Sequence, residues 1–292
     1  MTLAVGLLVV GLAVGGCSSE ERADSSATTI PSGAPAKVTT TTAVGRPARV
    51  LVVGDSLAFL VALSLAEISV EHGMEVRTAA LMGCGLLRGP QIRYGVSTVT
   101  ESRCDRWPER FQRALDEFQP DRVVVINGFW DAYDVIVDGS LVEFGTPAWD
   151  EYARAEFGAA MDLLSSGPLV LWLGSPYFQN QASESPEARY FRTHGEYRSA
   201  YDEARVDHLD DLFRGLAVER SGTGRVAFID IRGLVCPSGT FEPTVEGVQI
   251  RDDGVHFTPD GAVKVARWVT ALVAGSMAGP LGTPPGVACP AP

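Results

Sequence analysis

From residue 48 onward, short runs of consecutive apolar residues alternate with stretches in which apolar positions recur every three or four residues. The first run, "RVLVVG" (49–54), is rich in valine, ends in glycine and predicts a strand. Leu57, Leu60, Val61, Leu63, Leu65 and Ile68 then mark a nearly all-apolar helix over 57–72, closed by Gly73. "EVRTAALMG" (75–83) predicts a second strand entering a glycine-containing loop, and "RWPERFQRALDEF" (106–118) a helix starting near Pro108. "DRVVVING" (121–128) predicts a fully buried strand, with a loop after it to about residue 147. Trp149, Tyr152, Phe157, Ala160, Met161 and Leu164 keep helical spacing through 148–166, and "PLVLWLG" (168–174) predicts the fourth strand. After a polar loop, Tyr201, Ala204, His208, Leu212 and Leu216 mark another helix, "RVAFIDI" (225–231) a fifth strand, and 258–275 a last helix with Pro259 in its first turn.

Strands that are apolar throughout and separated by helices require a parallel sheet covered on both faces. The prediction for 48–276 is an α/β domain, a three-layer α/β/α sandwich around a doubly wound parallel five-stranded sheet. Ligands in such sheets bind beyond the carboxyl ends of the strands. Ser56, Gly83, Asn127-Gly128, Ser175 and the loop after Ile231 all fall at those ends.

The chain ahead of this domain reads differently. Residues 1–16 are an apolar run ending in small residues, too short for a spanning helix, which needs roughly 20 apolar positions. They have the form of an export signal. Val14-Gly15-Gly16-Cys17 resembles the bacterial lipobox, which implies a lipoprotein signal peptide and lipidation at Cys17. Residues 17–47 are rich in Ser, Thr, Ala and Pro, lack an apolar period, and predict a disordered tether. Such a chain is extracytoplasmic and held to the bacterial cell membrane, or else secreted.

Charge and cysteine content narrow the picture. A net charge of −12 argues against nucleic acid as a partner, because phosphate is bound through an excess of Lys and Arg. With Cys17 set aside, four cysteines remain, an even number that suits disulfides outside the cytosol. Of the three possible pairings, Cys84–Cys104 and Cys236–Cys289 are expected, the first closing a local loop and the second pinning the Gly/Pro-rich tail at 277–292. No spacing suits zinc, and neither a metal nor an organic cofactor is expected.

Ser56 follows the first strand in "LVVGDSLAFL", where a serine is either a helix cap or a nucleophile. A nucleophile needs a base and a set of oxyanion donors. Of the four histidines, His72 sits at a helix end beside Glu71 and reads as structural, His208 lies on a helix face among Asp207, Asp210 and Asp211, and His194 is in a polar loop. His256 stands in "RDDGVHFTPDGA", just ahead of the last helix and three residues after Asp253. A short turn there would bring the Asp253 carboxylate to Nδ1 and leave Nε2 to face a serine. Asp252 reads as a solvated neighbour or a partner of Arg251.

Gly54-Asp55-Ser56 after the first strand, together with Asp253-Gly-Val-His256 before the last helix, resembles the GDSL/SGNH hydrolase family. The resemblance implies a flavodoxin-like sheet and an esterase, lipase or carbohydrate deacylase activity, with Ser56 as nucleophile, His256 as base and Asp253 as orienting acid. It also implies an oxyanion hole made by the N–H groups of Ser56 and Gly83. The family's third block, Gly-x-Asn-Asp, reads here Gly128-Phe129-Trp130-Asp131, so Trp130 stands where the family has its asparagine donor, with Asn127 ahead of the glycine. Trp130 is then an indole donor to the oxyanion, a wall of the substrate pocket, or core. "GCGLLRG", "CDRWP", "DRVVVINGFWDAYD" and "VCPSG" are similar to the SGNH domains attached to membrane sugar O-acyltransferases.

These readings converge on an exported, lipid-anchored serine esterase or O-acyltransferase acting on acylated cell-envelope carbohydrate, or on a small ester, with a separate membrane acyltransferase as a potential partner. Asp131 and Tyr133 are expected to line the substrate pocket. The alternatives are a general short-chain carboxylesterase and a non-catalytic glycan- or lipid-binding module walled by Trp130, Tyr133 and Phe59.

Overall fold

The computed structural model describes residues 46–93, 96–98, 103–179 and 200–278. In chain order the elements begin with β1 (Ala48–Gly54), α1 (Ser56–Ser69), β2 (Met74–Thr78), β3 (Gln91–Arg93), β4 (Val96–Thr98) and α2 (Trp107–Phe118). Next come β5 (Arg122–Ile126), β6 (Asp134–Val137), β7 (Ser140–Val142), α3 (Pro147–Leu164) and β8 (Leu169–Leu173). The domain is completed by α4 (Glu203–Glu219), β9 (Val226–Ile229), α5 (Arg232–Val235), β10 (Thr244–Val245), β11 (Val248–Gln249) and α6 (Pro259–Ala278).

The main sheet has five strands, all parallel, in the order β2-β1-β5-β8-β9. Numbered among themselves they run 2-1-3-4-5, the flavodoxin-like order. α1 packs with α6, while α2, α3 and α4 pack in series, so the sheet lies between two helical layers. Burial follows the apolar runs: Val50–Val53, Val123–Ile126 and Val170–Leu173 form the centre of the core. The strand order reverses between β1 and β5, which opens a crevice at their carboxyl ends.

Local chemistry sets the helix boundaries. Asp55 caps α1, its Oδ1 accepting from Leu57 N at 2.9 Å. Beyond α1 the chain tightens into a 3₁₀ turn over Val70–His72 and stops at Gly73 in the left-handed region. α2 buries Trp107, Phe111, Leu115 and Phe118 on one stripe. Thr146 and Asp202 cap α3 and α4, and Tyr201 falls just ahead of α4 instead of within it.

Two stretches depart from expectation. β2 ends at Thr78, short of the expected 83. The Thr78 hydroxyl donates to Val52 O at 3.0 Å and accepts from Ala80 N at 3.1 Å, so the chain turns off the sheet. The expected loop up to 147 contains a 3₁₀ turn, Phe129–Asp131, and the β6–β7 hairpin. That hairpin joins β3 and β4 in a second, antiparallel sheet, β4-β3-β6-β7. Both of its insertions leave from the carboxyl ends of main-sheet strands, beside the crevice.

Cys84 and Cys104 form a disulfide. Of the expected Cys236–Cys289 pairing, Cys236 is buried, has no disulfide partner among the described residues and takes a hydrogen bond from Arg251 Nη2 at 3.2 Å. Cys289 lies outside the described residues, as do Cys17, His194, the signal segment, most of the tether and the tail after 278. Among the described residues no helix is long and apolar enough to cross a membrane.

Candidate active site

β1 delivers the chain into the crevice through Gly54, which a side chain could not replace: a Cβ there would sit 1.8 Å from Ile126 O, at φ +135°. Asp55 N donates to Ile126 O at 3.3 Å, and Ser56 then opens α1. Ser56 Oγ lies 3.0 Å from His256 Nε2, although 200 residues separate them in sequence.

His256 comes from a tight loop between β11 and α6, closed at its base by a backbone bridge between Arg251 and Phe257. Asp253 holds this loop from inside. Its Oδ1 accepts from Val255 N at 2.8 Å and His256 N at 2.7 Å, and its Oδ2 lies 2.7 Å from His256 Nδ1. Gln179 N donates to Gly254 O at 3.0 Å, tying the loop to the segment after β8. With the ring proton on Nδ1 and donated to Asp253, Nε2 is left to accept the Ser56 hydroxyl proton.

The electrostatics fit that proton assignment. Burial disfavours the Asp253 carboxylate, but the hydrogen bonds from His256 and from the Val255 and His256 N–H groups outweigh it and hold its pKa at about 2. The hydrogen bond to Asp253 raises the pKa of His256, against a smaller opposing effect of burial. Such a chain can take a proton from a serine hydroxyl and hold it on an imidazolium.

Gly83 lies in the turn after β2. Leu81 N donates to Gly54 O at 2.7 Å and Cys84 N to Leu81 O at 3.1 Å, so this turn is fastened to the corner that carries Ser56. Trp130 is half-buried in the 3₁₀ turn after β5, its ring stacked on Tyr133 with centroids 6.2 Å apart. Asp131 and Tyr133, expected at the substrate pocket, are both fully buried. The Asp131 carboxylate is turned toward backbone N–H groups of the loop after β2. Phe59 is partly exposed on α1.

The remaining candidates separate cleanly. His72 is exposed at the end of the 3₁₀ turn after α1. His208 pairs with Asp150 of α3 at 2.6 Å, and not with the aspartates of its own helix. Arg251 is fully buried and bonds Tyr177 O, Val235 O and Cys236 Sγ, so Asp252 is an exposed neighbour and not its partner.

The family model for the SGNH domain (fused to AT3 domains) matches residues 17–270. The chain belongs to the SGNH family. Membership puts it among ester hydrolases and acyltransferases. No curated protein matches this SGNH chain in sequence. Among solved structures, the periplasmic domain of the Salmonella ser. Paratyphi A lipopolysaccharide acetyltransferase is similar, with a TM-score of 0.51, 12% identity, and coverage of 78% of this chain and 84% of that one. A putative acylhydrolase from Bacteroides fragilis gives a TM-score of 0.49 at 13% identity, covering 80% of this chain and 92% of that one. The native M. smegmatis aryl esterase gives 0.47 at 15% identity, covering 78% and 99%. At 12% identity the first of these likenesses speaks to the fold alone.

Asp55, the middle residue of the SGNH Gly-Asp-Ser corner, is a feature that reading the sequence did not single out. It is fully buried, and Oδ2 has no hydrogen-bond partner among the described residues. Burial pushes its carboxyl up to about 7, with the Leu57 N–H opposing and the Asp131 charge adding. The sequence offered Ser56 as the helix cap; the structure gives that role to Asp55 and opens α1 at Ser56.

Proposed function

We propose that this SGNH domain is an exported, lipid-anchored serine esterase or O-acyltransferase acting on acyl esters of cell-envelope carbohydrate. The observation that carries the reading is the continuous hydrogen-bonded chain from Ser56 Oγ through the His256 ring to Asp253, with steps of 3.0 and 2.7 Å. Ser56 attacks the ester carbonyl while His256 takes its proton. The tetrahedral oxyanion is held by the N–H groups of Ser56 and Gly83, and Trp130 stands on the third side where the family has asparagine. The N-terminus of α1 adds a favourable field for that negative charge. The imidazolium then protonates the leaving alcohol, and His256 next activates water or a sugar hydroxyl to release the acyl group from Ser56.

Carbohydrate as substrate is supported by the family's fusion to AT3 domains and by the likeness to a lipopolysaccharide acetyltransferase domain. With a separate membrane acyltransferase as partner, the resting acyl-Ser56 would pass to a glycan hydroxyl. Alone, water would accept it. The test is turnover of p-nitrophenyl acetate by the full chain. Ser56→Ala is expected to lower kcat/KM by at least about 10³-fold. Unchanged turnover in Ser56→Ala would remove the nucleophile from the scheme.

A further inference from the structure

Asp131 is a buried carboxylate that the mechanism above does not use. It ends the 3₁₀ turn after β5, and its backbone N–H donates to Gly128 O at 3.1 Å. From there the side chain crosses to the loop after β2. Oδ1 accepts two consecutive backbone N–H groups, Leu86 at 2.7 Å and Leu87 at 3.0 Å. Oδ2 accepts from Asn127 Nδ2 at 2.6 Å. The approach is so close that Gly85 has to be glycine: a Cβ there would lie 2.3 Å from Asp131 Oδ1.

The loop that Asp131 grips is the one that carries Gly83. It is held on its other side by the Cys84–Cys104 disulfide and by Trp107 Nε1, which donates to Leu86 O at 2.8 Å. Leu86 and Leu87 are buried, so their N–H groups have no water to turn to if the carboxylate is lost. An oxyanion donor works only if it is in place before charge develops, and small displacements are costly.

We propose that Asp131, oriented by Asn127, is the positioning residue for the oxyanion loop. It fixes the turn at Gly83 from the 3₁₀ turn after β5, one residue beyond Trp130, which stands where the family has its asparagine donor. The proposal rests on the reading of Gly83 N–H as an oxyanion donor. Only a charged, two-oxygen acceptor serves all three N–H groups at once. Asparagine at 131 keeps one acceptor for Leu86 and Leu87 and meets a turned-over Asn127 amide, whereas alanine keeps none.

The test is steady-state kinetics on p-nitrophenyl acetate for the full chain, Asp131→Asn, Asp131→Ala and Asn127→Ala, with thermal melts to confirm folding. Asp131→Ala is expected to lower kcat by about 100-fold or more with KM within about threefold. Asp131→Asn and Asn127→Ala are expected to lose only about tenfold in kcat, because each keeps an acceptor for the two loop N–H groups. A folded Asp131→Ala protein with the kcat of the parent, or with its loss confined to KM, would overturn the proposal. If Asp131→Ala does not fold, Asp131→Asn decides by the same criterion: parental kcat overturns it. Absence of any Ser56-dependent turnover in the parent chain is a different result and sinks the esterase reading, with the positioning role falling with it.

Discussion

His256 faces a carboxylate on one ring nitrogen and a hydroxyl on the other, and its proton affinity decides when the site can work. Its pKa is raised, first by the hydrogen bond to Asp253. The base must be neutral, so kcat/KM should rise with pH through a value above the ordinary 6.5. In Asp253→Asn that limb should move to lower pH while kcat falls about 10³- to 10⁴-fold, because the ring loses its tautomer and its counter-charge together. A pH–rate profile of both proteins checks this, and an acid limb that stays in place would deny Asp253 its role. Ser56, Asp253 and His256 were legible in the sequence because their chemistry is local: a glycine corner after a strand, and an acid three residues before a histidine. The full burial of Asp131, Tyr133 and Arg251 was not legible, for the opposite reason. Their burial depends on β3, β5 and the loop after β8 coming together, and no short window of sequence contains that.

The elements around the crevice tie catalysis to stability. α1 begins at a capping carboxylate that burial holds at about 7, against 3.8 for an ordinary aspartate. A group raised on folding contributes its stability below its unfolded pKa and loses it as pH rises through the folded one. Asp55→Asn should therefore gain in Tm relative to the parent as pH goes from about 4 to 8, by about 3 °C or more. A pH series of thermal melts reads that difference, and a gap that shrinks toward pH 8 would contradict it. Asp253 works in the opposite sense. Its depressed pKa, about 2, stabilises the fold above 3.8, and that contribution is lost as pH falls toward 2. The loop that carries Gly83 has its own fastening, and replacing Cys84 and Cys104 by serine should cost about 2–4 kcal/mol in denaturant unfolding. The five parallel strands and their helices were legible because each is a single apolar run or stripe. The small sheet was not, because β3 and β6 are three and four residues long and pair across a gap of more than forty positions.

At the scale of the whole molecule, a doubly wound sheet brings the carboxyl ends of β1, β2 and β5 to one crevice, and the last loop before α6 supplies the proposed base, His256. The net charge of −12 argues against polyanions as partners, in keeping with the neutral acylated glycan of the proposed scheme. In the proposed scheme a lipid at Cys17 keeps this crevice within reach of the membrane, at the end of the 17–47 tether. Cell fractionation should find the parent chain with membranes and Cys17→Ser in the soluble extracytoplasmic fraction. Membrane retention of Cys17→Ser would remove the lipid anchor from the account. The central claim is that the fold turns Ser56 into a nucleophile, and a fluorophosphonate probe followed by peptide mass spectrometry tests it most directly. The account predicts one adduct, on the peptide containing Ser56, formed by the native chain and lost in His256→Ala. A native chain left unlabelled, or labelled equally well without His256, would contradict it.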